Sequence, residues 1–418
     1  MQVMTLAQAV EPAAVDMADL EQNYRPMLKL VRELIGVVPN CDGYLEIWPP
    51  GFRTYNLLVP NLLDLPALFL NRGAPKALVG LAMYASSRAA ECMYCSAHTC
   101  SFALRRGASR EAVVGERTPV EEAVARLAEA LSRVPADVTP ELIAEVEAQL
   151  DDDSVEWIVL SVALMGFLNK FMDAMGVELE TAAIADVQRL IGPTGWTPGH
   201  HQWNGEVVTA HNEVPSDGLG TYVRVFRQAP GAQRLESSWT KGMSGQVGPA
   251  LVALEEEIGY AFSILASLRH RKPVRALASV LRDNLDPRQS VVGIPAKGLA
   301  AVVYARTVGN EVLLSETVQM ASLLTPELGP RLLGDVIRYA EADGAEVAVP
   351  HGMSTRETAV VMLARAASPS PAEVTDLTID QVTGDLTPAQ IVEVLVWISV
   401  LQVLHRLYLF YETRNGPT

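Results

Sequence analysis

Lysine is scarce in this 418-residue chain: six of the 33 basic residues are lysine, and the formal net charge is −16. So acidic a chain offers no basic stripe for a phosphate backbone, and nucleic acid is not expected as a partner. Aromatic residues make up only 6%, so the 49% hydrophobic share is mostly aliphatic and sits in alanine-rich amphipathic runs. That composition favours an all-α protein. No uninterrupted apolar run reaches the ~20 residues that cross a bilayer, so no membrane span is expected. Residues 1–17 lack the basic start and apolar core of a secretion signal. Four cysteines in a chain this long are no disulfide scaffold. A cytoplasmic protein with reduced thiols is the expectation. Glycine-rich phosphate loops and dinucleotide fingerprints are missing too, which leaves no indication of a nucleotide cofactor.

What the chain does contain is Glu91-Cys92-Met93-Tyr94-Cys95-Ser96-Ala97-His98-Thr99-Cys100, with three of the four cysteines inside nine residues. Read as helix at ~100° per residue, Cys92, Cys95 and His98 share roughly a third of the circumference. Two thiols and an imidazole on one face suit thiolate formation and the capture of an oxidised sulfur, with Cys95 expected to be the acidic thiol. The competing readings are an inert buried pair and a metal site. Structural zinc needs four ligands and there is no second CxxC, while a three-ligand zinc on Cys92, Cys95 and His98 is strained on one helix. No metal is therefore expected. Cys41 and Cys100 read as packing residues.

Internal similarity sets the expected architecture. Residues 121–139 (EEAVARLAEALSRVPADVT) and 357–375 (ETAVVMLARAASPSPAEVT) share 11 of 19 positions. Gly73-Ala74-Pro75 with Tyr84-Ala85 echoes Gly293-Ile294-Pro295 with Tyr304-Ala305, and the apolar run 155–171 resembles 392–407. The reading is two tandem helical repeats of six or seven helices, the second with about sixteen extra residues around 325–353. Thr118, Ser354 and Thr387 read as capping residues that open helices, and Thr139 as one that opens a helix in the first copy only. The expected domains are 1–191, carrying the CxxC site, and 235–418, a second repeat without cysteines. In that repeat Cys92, Cys95 and His98 align with Val312, Ser315 and Val318, or with Asn310, Leu313 and Glu316 after a two-residue slip.

Between the copies, 192–234 loses the helical period and is rich in loop chemistry. It reads either as a connector or as a segment folded over a pocket. His200, His201 and His211 with Glu206 have the composition of a metal site without the spacing of a known one. Trp48-Pro49-Pro50-Gly51-Phe52-Arg53 reads as a rigid turn presenting aromatics, either to line a substrate pocket or, as the simpler reading, to form a packing corner.

The CxxC with a following histidine, then Arg105-Arg106-Gly107-Ala108-Ser109 and the helix start at Thr118, resembles the alkylhydroperoxidase D / carboxymuconolactone decarboxylase superfamily over about 58–177. The resemblance implies an all-α bundle, often duplicated and often oligomeric, so a homo-oligomer is expected. It also implies a thiol peroxidase or oxidoreductase acting on a small-molecule substrate, with no cofactor beyond the cysteine pair and with recycling by an external dithiol or dithiol reductase partner. Carried over by position, Cys95 is the attacking thiolate, Cys92 the resolving thiol and His98 a proton-transfer group. The alternatives are a family member recruited to decarboxylation, isomerisation or another step on a small organic molecule, and a non-catalytic scaffold. Two positions depart from the family pattern. Gly80 stands where redox members carry a relay glutamate, and His98 follows the second cysteine by three residues where many have four. No acidic residue occurs between Asp64 and Glu91, so any relay carboxylate has to come from another segment.

Overall fold

The computed structural model describes residues 4–71, 73–201, 209, 213–342 and 348–416, and every regular element among them is a helix. Two long helices, Asp152–Met175 and Pro388–Asn415, pack along each other with nearly all of their residues buried. Gly166 permits the close approach: a β-carbon there would stand 2.9 Å from the carbonyl oxygen of Gln402. By length and composition both helices are apolar enough to cross a membrane, although the sequence shows no unbroken apolar run. Their apolar windows are 94% buried by other helices, which accounts for the composition.

Helices Lys76–Ala89, Met93–Arg105 and Pro119–Ala130 form a group on one of the long helices, and Ile294–Thr307, Glu311–Leu324 and Thr355–Ala367 follow in the same order before the other. Thr118, Ser354 and Thr387 each form a capping box, an arrangement of the kind that stabilises a helix start by about 1 kcal/mol. Thr139 caps Pro140–Glu147, and Thr375 caps Asp376–Asp385 in the same way, so the start expected once occurs in both halves. Asn310 caps Glu311–Leu324 as Cys92 caps Met93–Arg105, the pairing of positions that the two-residue slip gives.

Two further expectations need correction. The stretch 192–234 is not free of helix: Leu219–Trp239 is helical despite Pro230, its weak amphipathic pattern having hidden it. Trp48 is buried at the start of helix Pro49–Leu62, and its indole N–H donates to the Gln289 carbonyl at 3.0 Å. The two prolines begin a helix rather than a turn, because the first turn needs no N–H donors.

Buried cations tie the second half to the first. Arg406 Nη1 donates to Ser86 Oγ and to the Val162 carbonyl, both at 2.7 Å. Lys170 Nζ donates to the carbonyls of Ser368, at 2.7 Å, and Pro369. These contacts pin residues 368–372 against the end of helix Asp152–Met175, directly behind the cysteine site.

Candidate active site

Helix Lys76–Ala89 ends one residue before a tight reversal in which Glu91 adopts a left-handed φ of 55°. Cys92 is then extended, and the next helix starts at Met93. The two cysteines therefore do not ride on one continuous helix face. Cys92 is the N-cap, with its Sγ accepting the Cys95 N–H at 3.3 Å. The unpaired N–H groups and positive dipole end of a helix start stabilise an anion there.

A cationic side chain reaches the same sulfur from a distant segment. His201 is fully buried beside Cys92, its Nδ1–H donating to the Val177 carbonyl at 2.7 Å. That bond fixes the ring and turns Nε2 toward Asp173, whose Oδ1 lies 3.8 Å away. Asp173 in turn accepts the Ala372 N–H at 2.6 Å, from the pinned segment of the second half. Burial pushes the Cys92 thiol up, but the Cys95 and His201 interactions outweigh it and bring it down to about 6. Burial works against the His201 imidazolium, yet Asp173 and Cys92 raise it to about 9. Asp173 is held well below the ordinary carboxylate range: burial opposes this, and the two histidines outweigh it.

Cys95 behaves in the opposite way. Burial first, then the neighbouring Cys92 sulfur and Asp173, push its thiol well above the ordinary value. The expectation of an acidic Cys95 is thus corrected: within the pair, Cys92 holds the charge and Cys95 the proton. Low dielectric allows one anion in the pair, and the helix N-terminus with His201 decides which sulfur carries it.

A carboxylate does reach His98 from another segment. Glu180 Oε2 lies 2.8 Å from His98 Nε2, while its Oε1 accepts from the Tyr94 hydroxyl at 2.8 Å and the Asn40 N–H at 2.5 Å. Burial pushes the Glu180 carboxyl up, but His98 and these donors outweigh it and keep it below the usual value. Gly80 has a packing role instead: a β-carbon there would stand 2.7 Å from Ala103 Cα, where the two hairpin helices touch. Gly80→Glu is expected to cost about 1–3 kcal/mol, as overpacking does, and to build no relay. A lowered urea midpoint would show the cost; an unchanged midpoint would contradict the contact.

Cys95 and His98 open into a cavity of about 60 Å³ that Cys92 does not line. Leu34, Val59, Phe102, Leu164, Met165 and Leu168 are among its apolar walls, and Cys41 also lines it, so that thiol is not mere packing. His98 Nδ1 is buried without a hydrogen-bond partner. Cys100, by contrast, is buried outside the cavity.

No family model matches the chain, and no curated protein matches it. Two solved structures are similar to part of it. The debrominase Bmp8 without ligand is 24% identical over 41% of this chain and 93% of its own, with a TM-score of 0.37. A cysteine-to-alanine variant of Bmp8 in complex with 2,3,4-tribromopyrrole is 22% identical over 41% and 92%, with a TM-score of 0.36.

Of the residues singled out in sequence, Cys92, Cys95, His98 and His201 come together, joined by Asp173, Glu180 and Tyr94, which sequence reasoning missed. His211 and Glu206 lie outside the described residues. Asp173, His200 and His201 each bring one donor atom within 4.8 Å of the others. His200 Nε2 lies 3.2 Å from the Asp173 carbonyl and 3.3 Å from its carboxylate, so this cluster reads as a hydrogen-bonded one rather than an open ligand set. Residues 196–201 fold over the cysteines, with the Trp196 indole N–H donating to the Met93 carbonyl at 3.1 Å.

Proposed function

We propose that this protein is a thiol oxidoreductase that reduces a hydroperoxide through Cys95 and Cys92. The observation that carries the reading is the division of labour in the pair: a protonated thiol facing an apolar cavity, with a cation-stabilised thiolate directly behind it. The likeness of the motif to the alkylhydroperoxidase D superfamily supports the same reading.

In the first step Cys95 sulfur attacks the terminal peroxide oxygen. An S–O bond forms, the O–O bond breaks, and the thiol proton ends on the departing alkoxide as alcohol. His98, oriented by Glu180 at Nε2 and unpartnered at Nδ1, is placed to move that proton. In the second step the Cys92 thiolate attacks the Cys95 sulfenic acid, an S–S bond forms, and hydroxide leaves as water with the proton of the His201 imidazolium. Two electrons have passed from the thiols to the peroxide, and an external dithiol returns them. Residues of the second half, through Ala372 and Asp173, hold His201 in position for this.

Steady consumption of tert-butyl hydroperoxide in the presence of dithiothreitol, well above the rate with dithiothreitol alone, is the expected result. Consumption at the background rate would count against the proposal. One observation favours a second reading, a family member recruited to other chemistry on a small organic molecule: the protonated Cys95 is built to donate a proton as well as to attack. In that case Cys95→Ser, with a hydroxyl in place, would retain activity on the true substrate.

A further inference from the structure

We infer that the cavity at Cys95 takes a small, uncharged, mostly apolar molecule with one polar group, placed against His98 Nδ1, and that it rejects carboxylates of the same size. The inference rests on the reading above only in taking Cys95 as the reacting sulfur.

Lysine and arginine are absent from the cavity wall. Two buried guanidinium groups outside the wall are engaged elsewhere: Arg406 by Ser86 Oγ and the Val162 carbonyl, and Arg106 by Asp217 and the Leu34 carbonyl. Besides Tyr55 and the Cys41 thiol, two polar side chains on the wall are committed elsewhere. The Tyr94 hydroxyl is bound to Glu180, and Thr99 Oγ1 donates to the Cys95 carbonyl at 2.6 Å. His98 Nδ1 is left over: it is buried, unpartnered and on a residue of the wall. An isolated unpaired nitrogen in apolar surroundings is costly unless a ligand group meets it.

Charge works in the same direction. Glu180 sits behind His98 with its oxygens already taken by His98, Tyr94 and Asn40, so it offers a field rather than a binding site. The Cys92 thiolate and Asp173 share the His201 imidazolium on the far side of Cys95, so that charge is already paired. An anion entering the cavity would lose its hydration, find no cation and meet the field of Glu180. Size sets the other limit. At about 60 Å³ the cavity is under half the volume of an apolar cavity that accepts benzene. Met83, Met165 and Met172 on the wall can shift to admit a few more atoms.

Iodoacetamide and iodoacetate are close in size and differ in charge, and both alkylate a thiol with loss of iodide. The rate of each at Cys95 of the full chain is read by tandem mass spectrometry and compared with its rate at the same residue in urea-unfolded chain. The preference for iodoacetamide is expected to exceed the unfolded ratio by tenfold or more, and Glu180→Gln is expected to shrink that excess by roughly tenfold, the scale of one nearby charge. A distorted cavity would instead change both reagents alike. A folded ratio equal to the unfolded one overturns the inference, and so does a Cys95 that neither reagent reaches while Cys92 is alkylated. Loss of thiols to tert-butyl hydroperoxide separates the two claims. If the ratio holds and no thiols are lost, the oxidoreductase reading fails alone; if thiols are lost and the ratio collapses, the substrate class fails alone.

Discussion

Cys95→Ser is expected to abolish hydroperoxide turnover, and Cys92→Ser to stop it after one event per chain. The two variants differ because the sulfurs face different surroundings. Of the two, only Cys95 lines the cavity, so without it the pair forms no sulfenic acid and the rate falls to background, a loss of three or more orders of magnitude in kcat/KM for a covalent mechanism of this kind. Without Cys92 the first step remains and the resolving sulfur is gone. Cys95 then accumulates as sulfenic acid and, with excess peroxide, gains further oxygen. The thiolate that helped to raise the Cys95 thiol is also removed, so Cys95 becomes more acidic and its alkylation at neutral pH speeds up. Intact mass after one equivalent of tert-butyl hydroperoxide distinguishes the two variants. Equal turnover in both would contradict the assignment.

His201→Asn is expected to produce the second large effect, on the pH profile of Cys92. In the wild-type chain Cys92 alkylation should rise through a midpoint near pH 6, where the thiolate forms beside His201. Loss of the imidazolium moves the midpoint toward that of an ordinary thiol, near 8.5, and slows alkylation at pH 7 by tenfold or more. Asp173→Asn is expected to give a smaller shift in the same direction, because it weakens the imidazolium without removing the ring. A midpoint unmoved in both variants would mean that the helix N-terminus alone stabilises the thiolate. The linkage runs in opposite directions for the two partners. The depressed Cys92 value contributes stability that is complete above the unfolded thiol value and lost as pH falls through about 6. The raised His201 value contributes stability that is complete below the unfolded histidine value and lost as pH rises through about 9. The thiolate–imidazolium pair therefore persists between those two limits.

The sequence shows much of this arrangement and conceals its decisive part. Thr118, Ser354 and Thr387 announce their helices because a capping box is a local device. The CxxC with its histidine is local too. The break before Met93 is hidden, since no glycine or proline marks it: Glu91 itself takes the left-handed turn. Once Cys92 is seen as a cap, the charge on its sulfur follows from the helix N-terminus and His201 rather than from a shared face. Glu180 and Asp173 carry no local signal at all. Glu180 is 82 residues from His98 along the chain, and Asp173 is one more acidic residue at a helix end until folding places it beside His201. Gly80, read as a lost carboxylate, is a helix contact, and the carboxylate that serves His98 arrives from elsewhere.

The most direct test is a single turnover on the wild-type chain: one equivalent of tert-butyl hydroperoxide, then alkylation of the remaining thiols and peptide mapping. A Cys92–Cys95 disulfide, with Cys41 and Cys100 still free, is the result this account requires. Four free thiols with the peroxide unconsumed, or a disulfide formed through Cys41, would contradict it.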